Sequence, residues 1–390
     1  MVHNSAYPTE GILLAAVKKD GMDISVVDLR HHSRAKIFTG KPTTGLSLGH
    51  LGKIQRIATT GYPGDTNDTA LCIAENGDWV AVIKKGTSSE LSSWVSDDLG
   101  KTWTETGTVT NSGNNHQPNL ISMPDGRIFC LWSSDDLTTQ LSILVSTSSD
   151  YGQSWSSPSI FSADSGNTVD YVKPTAKLIS YSIGPRLAVF FVGIGDDIIY
   201  QTVSAIDEPG NPSGIEAAII SSAGFGGLTY ANIQLSVEVS EKTDTAMIAW
   251  VIPMNGGVDS AIKTKTLTIP EGDNFYLTLV QTLTSETYTY GPTSIDGPVL
   301  LRNRDNRLVL LWVDQDADEI LYQVFIENPG GLTFAGRWSK IRKLTDYSAA
   351  ITHLSATRVS DGDWVICSGN GGIEPTGESE IFQVAMLETC

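Results

Sequence analysis

Short runs of β-branched and aromatic residues alternate along the chain with turns rich in Gly, Asn, Asp and Pro. Typical runs are RLAVFFVGI at 186–194, TAMIAWVI at 245–252 and RLVLLWVD at 307–314. Runs of this length and composition, bounded by turn residues, are typical of β-strands. No segment of useful length has the 3.6-residue periodicity of an amphipathic helix. The pattern therefore predicts an all-β protein.

The strand runs are separated by tight turns at a nearly constant interval. The second residues of successive turns lie 49 to 62 positions apart along the chain. The turns are Asp20-Gly21, Asn76-Gly77, Asp125-Gly126, Gly184-Pro185, Thr243-Asp244, Asp305-Asn306 and Asp361-Gly362. A repeat of this length, built from short strands, is the signature of a β-propeller with four-stranded antiparallel blades.

Seven such turns almost fill the 390 residues, so the spacing favours seven blades, with six as the alternative. We expect a single β-propeller domain over residues 1–390. Residues 1–60 would form the first blade and a segment that closes the ring.

Two loops share one sequence pattern. SDDLGKTW at 96–103 and SSDYGQSW at 148–155 both place Ser, Asp, Gly, Ser or Thr, and Trp at identical spacing. The pattern resembles the Asp box of the sialidase and BNR-repeat propeller superfamily. The resemblance implies Asp-box hairpins between the third and fourth strands of blades two and three. An Asp that accepts backbone N–H bonds and a Gly in a tight loop give the motif a structural task, not a catalytic one.

Connections between antiparallel strands alternate between the two faces of a propeller. The loops that lead into the innermost strands share the face opposite the Asp boxes, and we predict the functional site there, at the mouth of the central channel. Polar and aromatic residues at these entries match the needs of a sugar. The predicted ligand-binding residues are Asn67, His116, Gln117, Asn119, Tyr171, Lys173, Tyr230, Asn232 and His353. The candidate catalytic carboxylates are Asp68, Asp170 and Asp296.

Sialidase activity can be tested against the sequence. The resemblance implies three arginines that bind a carboxylate, a Tyr with a neighbouring Glu, and an acid/base Asp. Alignment places Asn67 where the first arginine would stand, and Trp132 and Ser133 at the second. Only Arg30 and Arg34 reach the mouth face in this reading. The arginine triad of a sialidase is therefore not found.

One acidic loop offers a candidate metal site. Asp314, Asp316 and Asp318 alternate in VDQDADEI, and hard carboxylate oxygens are ligands for Ca²⁺. The loop lacks the glycine that an EF-hand has at its sixth position. A solvated acidic loop is the alternative, and no other cofactor is predicted.

The chain has a formal net charge of −18, which disfavours a nucleic-acid backbone or an anionic membrane as partner. No apolar run approaches the length of a membrane helix, and the first residues lack a secretory signal. Two function classes stay open. One is a non-catalytic recognition or assembly module, a glycan-binding or structural protein of a virus or phage particle with a glycan or protein partner. It would lie on a virion surface or outside the cell without a signal peptide, and a cytoplasmic location also stays open. The other is a sialidase-like glycoside hydrolase that acts on cell-surface glycans, or a lyase, using the carboxylates of the mouth face.

Overall fold

The structure is a computed structural model. It describes residues 15–20, 23–28, 36–39, 55–56, 68–85, 89–100, 102–163, 168–181, 184–205, 217–221, 223–225, 233–239, 245–254, 259–268, 282–289, 295–302, 307–314, 316–317, 319–327, 336–343, 351–358, 364–370 and 379–384.

The described strands form seven antiparallel sheets, numbered I to VII in chain order. Sheet I contains β1 (Ala15–Asp20), β2 (Asp23–Asp28) and β3 (Lys36–Thr39). Sheet II contains β5 (Thr69–Ile73), β6 (Trp79–Lys85), β7 (Glu90–Ser96) and β8 (Thr104–Thr110). Sheet III contains β9 (His116–Ser122), β10 (Ile128–Ser134), β11 (Ser142–Ser148) and β12 (Ser159–Ser162). Sheet IV contains β13 (Asp170–Tyr181), β14 (Gly184–Ile194), β15 (Ile198–Ala205) and β16 (Ala217–Ser221).

The remaining sheets follow the same order. Sheet V contains β17 (Leu235–Val239), β18 (Thr245–Met254), β19 (Asp259–Thr268) and β20 (Thr282–Thr289). Sheet VI contains β21 (Ile295–Arg302), β22 (Leu308–Asp314), β23 (Glu319–Glu327), β24 (Gly336–Trp338) and β25 (Arg342–Lys343), the last paired with β23. Sheet VII contains β26 (Ile351–Arg358), β27 (Trp364–Asn370), β28 (Ser379–Val384) and β4 (Gln55–Arg56).

The first strand of each sheet from II to VII faces a central channel. These six inner strands contact one another in a closed cycle, from β5 through β9, β13, β17, β21 and β26 back to β5. The chain is therefore a β-propeller with antiparallel blades, as the strand pattern predicts. The cycle closes directly between β26 and β5, so sheet I contributes no strand to it.

The predicted number of four-stranded blades, seven with six as the alternative, is wrong. Among the described sheets, five have four strands, sheet VI has five and sheet I has three. The turn at Asp20-Gly21 has the same local chemistry as the others, since Asp20 of β1 pairs with Asp23 of β2. Local chemistry does not determine whether a hairpin joins the ring.

The N-terminal sequence also supplies a strand to the other end of the chain. Gln55 and Arg56 of β4 pair with Ile381 and Glu380 of β28. The limits of the predicted domain, residues 1–390 with 1–60 as first blade and closing segment, stay predictions. No helix among the described residues is long and apolar enough to span a membrane.

Apolar side chains fill the spaces between neighbouring sheets. Both β10 and β22 are buried along their whole length, because each lies inside its sheet with another sheet on either face. Trp132 packs between sheets II and III, Trp250 between IV and V, and Trp312 between V and VI. The tryptophans of the second strands therefore stabilise the stacking of blades.

The two repeated loops have the same hydrogen bonds. In the first, between β7 and β8, Asp98 Oδ1 accepts the Thr102 N–H at 2.9 Å and the Ser96 hydroxyl at 2.9 Å. Asp98 Oδ2 accepts the Thr102 hydroxyl at 2.8 Å, and Ser96 Oγ accepts the Gly100 N–H at 2.8 Å. The serine, aspartate and threonine side chains of the motif thus close their own turn.

The second loop, between β11 and β12, repeats these contacts around Asp150. Its Oδ1 accepts the Ser154 N–H and the Ser148 hydroxyl, both at 2.8 Å. The same loop docks on the preceding sheet, because the Gly152 carbonyl accepts the hydroxyls of Ser93 at 2.8 Å and Thr106 at 2.7 Å. The loop therefore joins sheets III and II, and the described contacts give it no catalytic task.

Candidate functional site

The central channel is the candidate site. Residues along all six inner strands line a cavity of about 320 Å³. The charged residues among the described lining are Lys173 and Lys177, both from sheet IV. Lys177 is paired with Glu238 of sheet V at 2.7 Å. No described arginine lines the cavity.

A cluster of three polar side chains lies where sheets II and III meet at the channel mouth. Asp68 immediately precedes β5 and is 6% exposed, and His116 opens β9 and is also buried. Lys84 Nζ lies 3.0 Å from His116 Nδ1. An ammonium group can only donate, so His116 Nδ1 is the acceptor in this contact. Asp68 Oδ2 lies 3.8 Å from the same nitrogen, a close approach that is too long for a hydrogen bond.

Gln117 crosses the mouth between three sheets. Its Oε1 accepts the Lys173 N–H of sheet IV at 2.9 Å, and its Nε2 donates to the Ile233 carbonyl beside sheet V at 3.3 Å. The side chain is 3% exposed. Gln117 was predicted to bind a ligand, and in the structure both ends of its amide bind protein backbone.

Other side chains of the inner strands also connect neighbours. Asn119 Oδ1 accepts the Ala176 N–H at 3.0 Å, and Thr175 Oγ1 donates to the Leu235 carbonyl at 3.1 Å. Ser236 Oγ accepts the Leu300 N–H at 2.8 Å. These bonds hold the inner strands at fixed distances, which places Asn119 in the scaffold of the channel.

Asp170 and Tyr171, at the start of β13, contact the structure around them. Asp170 Oδ1 accepts the Leu141 N–H at 2.9 Å. The Tyr171 ring is 3% exposed and packs against Phe191 and Tyr200, with centroid distances of 4.8 and 5.4 Å. Tyr171 therefore packs in the core between sheets III and IV rather than facing the cavity.

The structure brings together two sets of the predicted residues, Asp68 with His116 and Gln117 with Lys173. The backbones of Asp296 and His353 lie in β21 and β26. Asp296 is the last paired residue before the register shift of β21, and His353 lies within the register shift of β26. Three further predicted ligand-binding residues lie outside the described residues: Asn67, Tyr230 and Asn232.

The acidic loop after β22 uses its first carboxylate in a turn. Asp314 is buried, and its Oδ1 accepts the N–H groups of Asp316 and Ala317, each at 3.1 Å. Asp318 lies outside the described residues. Across the described chain, no group of three or more His, Cys, Asp or Glu side chains is placed to hold a metal ion. A calcium site there stays a prediction.

Lys84 is the site residue that sequence reasoning missed. It lies near the end of β6, and its N–H donates to the Asp68 carbonyl at 3.0 Å. The available signal was the charged pair that ends the apolar run WVAVIKK. A lysine at the end of a second strand reaches the entry of the first strand beside it, since the two are hydrogen-bonded neighbours.

The described arginines near the channel do not resemble a carboxylate clamp. Arg302 is buried at the far end of β21, with its Nε 3.2 Å from the Val239 carbonyl and 3.7 Å from Glu238 Oε1. Arg127 is paired with Asp125 at a turn of the opposite face, at 2.6 Å. Both arginines belong to structural contacts.

Comparison of the coordinates with solved structures shows the fold. The chain is similar to the α-L-arabinanase of Penicillium chrysogenum in complex with arabinobiose, with a TM-score of 0.57 and 14% identity over 86% of this chain and 98% of that one. It is similar to an α-L-arabinofuranosidase of Fusarium graminearum in complex with an iminosugar inhibitor, with a TM-score of 0.57 and 15% identity over 86% and 98%. A protein of unknown function from Dyadobacter fermentans gives a TM-score of 0.58 and 14% identity over 87% and 99%.

These structural neighbours include glycoside hydrolases with a related propeller fold, and at such low identity the likeness shows the fold alone. No protein-family model matches the sequence, and no curated protein matches it. The likeness to the sialidase and BNR-repeat superfamily thus depends only on the two repeated loops.

Proposed function

We propose that the protein is a glycoside hydrolase whose active site lies at the channel mouth beside Asp68. The observation that carries the proposal is the buried carboxylate of Asp68, 3.8 Å from His116 Nδ1, to which Lys84 lies at 3.0 Å. Asp68 directly precedes Thr69, which lines the cavity. A buried carboxylate beside an imidazole and a lysine is suited to proton transfer. The fold is shared with enzymes that cleave arabinose-containing glycans, and this supports the same reaction class.

In the proposed reaction, a water molecule attacks the anomeric carbon and gives its proton to Asp68. The bond between the anomeric carbon and the glycosidic oxygen breaks, and a second carboxylic acid protonates the leaving oxygen. Asp170 and Asp296 are the candidates for that acid.

The test is turnover by purified protein on arabinan, 4-nitrophenyl α-L-arabinofuranoside, and a panel of neutral and acidic glycosides and oligosaccharides. Asp68→Asn should lower kcat by about a hundredfold or more on whichever substrate is cleaved, as expected for loss of an acid–base group. Asp125→Asn, an equal change on the opposite face, should leave kcat unchanged. Circular dichroism and glycan titration calorimetry would show that Asp68→Asn still folds and binds.

Wild-type protein that cleaves no member of the panel, or an Asp68→Asn variant as active as wild type, would contradict the proposal. Binding of a glycan without turnover would favour the recognition module of the sequence analysis. A sialidase-like ancestry, a place on a virus or phage particle and a protein partner stay predictions.

A further inference from the structure

Three inner strands share an unusual backbone feature at the channel mouth. Gln117, Lys173 and Gly297 have φ values of 53°, 54° and 48°, and a proline follows each one. In each strand the pairing register shifts at this point. Glycine adopts such φ values readily, whereas a left-handed backbone at Gln or Lys costs about 1–2 kcal/mol of conformational energy. Strain of this kind persists where surrounding structure enforces it, and it concentrates at functional positions.

Lys173 is held in this conformation from the neighbouring sheet. The Gln117 carbonyl oxygen accepts the Lys173 N–H at 2.9 Å, and the other end of the same amide is bound to Ile233. Bulges re-aim side chains next to sites. The fixed backbone therefore determines where the Lys173 side chain is attached to the cavity wall.

The described cavity wall carries positive charge although the whole chain has a net charge of −18. Its described charged residues are Lys173 and Lys177, and Glu238 is paired with Lys177. No carboxylate is among the described lining residues. Of the two lysines, Lys173 therefore lies nearer to the start of β13, and Asp68 lies at the corresponding end of β5.

We propose that Lys173 determines specificity by binding a carboxylate of the glycan, so that the substrate class is a uronic acid-containing oligosaccharide. The inference rests on the proposed function and names the substrate class for the same site. An ammonium–carboxylate pair makes a short, charge-assisted hydrogen bond. A single lysine on a flexible stem acts as a point charge and does not require the arginine cluster of a sialidase.

The experiment measures binding by titration calorimetry to tetrasaccharides of galacturonate, mannuronate and glucuronate, each beside its carboxyl-reduced neutral counterpart. Wild type should bind at least one uronate about tenfold or more tightly than the matched neutral sugar, as one charge-assisted bond provides. Lys173→Gln should remove that preference, so that the uronate binds no more tightly than the matched neutral sugar.

Two further variants separate charge from backbone strain. Lys173→Gly removes the ammonium group, and glycine adopts a φ of 54° without strain. This variant should therefore lose the preference for the uronate and keep the stability of the wild type. Lys177→Gln makes the same charge change four positions further along the same strand and should keep the preference.

The outcomes separate this inference from the proposed function. Equal binding or cleavage of charged and neutral sugars, or a preference that survives in Lys173→Gln, would overturn the role of Lys173 and leave the hydrolase proposal standing. If the wild type neither binds nor cleaves any glycan, both proposals are wrong.

Discussion

Gly152 offers a stringent test of how the repeated loop joins two sheets. Its φ is +87°, and a Cβ built there would lie 2.7 Å from Val80 Cγ1 and 3.3 Å from Val95 Cγ2. Val80 is fully buried in β6, so it cannot move aside. We expect Gly152→Ala to lower the free energy of unfolding by about 1–2 kcal/mol through the left-handed backbone and by about 1–3 kcal/mol through overpacking. The total loss in free energy of unfolding is about 2–5 kcal/mol.

Gly77 is the matched control. Its φ is +92°, and a Cβ there would meet nothing within 4 Å. Gly77→Ala should therefore lose only the backbone contribution, about 1–2 kcal/mol. Urea unfolding followed by circular dichroism and tryptophan fluorescence measures both variants. Equal losses would refute a tight contact between loop and sheet. In a Val80→Ala background, Gly152→Ala should lower the free energy of unfolding by less than it does in the wild type, because substitutions at residues in contact are not additive.

Two predictions concern ionisation. Burial by itself would raise the pKa of Asp150, but hydrogen bonds from Ser154 and Ser148 outweigh it and hold the pKa below its ordinary value of 3.8. The resulting stability is complete above that value and is lost as the pH falls through the folded-state pKa. The stability difference between wild type and Asp150→Asn should therefore be largest near neutral pH and shrink in melts below about pH 4, and a constant difference would contradict this reading. Burial raises the pKa of the Cys72 thiol to about 12 and that of Cys130 well above its usual range. Peptide mapping after iodoacetamide treatment at pH 8 should find both thiols unlabelled in the folded protein and labelled after denaturation, whereas equal labelling in both states would argue against burial.

The strands and their turns could be predicted because the interactions that make them are local. The run IFCLWSS of β10 is buried throughout, as a continuous apolar strand inside a propeller should be. Gly77 and Gly126 take the positive φ that their hairpin turns require. In each case, the residues that decide the structure lie within a few positions of one another.

The assembly of the hairpins depended on contacts that no local pattern encodes. The hairpin of β1 and β2 looks like the start of a blade, yet β26 packs directly against β5. The contacts at the channel mouth could not be predicted for the same reason, since Gln117 bonds to Ile233, 116 positions away along the chain. A residue before proline is also expected to be extended, whereas Gln117 and Lys173 are left-handed.

These contacts distinguish the polar residues that hold the sheets together at the channel from those that could act on a ligand. Amide and hydroxyl groups of the inner strands bond to neighbouring backbones, as Asn119 does with Ala176 and Thr175 with Leu235. A ring of separate sheets requires such bonds, because no hydrogen-bond ladder joins one of the described sheets to the next. Polarity at a channel is therefore weak support for ligand binding by itself. Ionisable groups at the mouth, Asp68 and Lys173 above all, are where reaction chemistry and specificity should be sought.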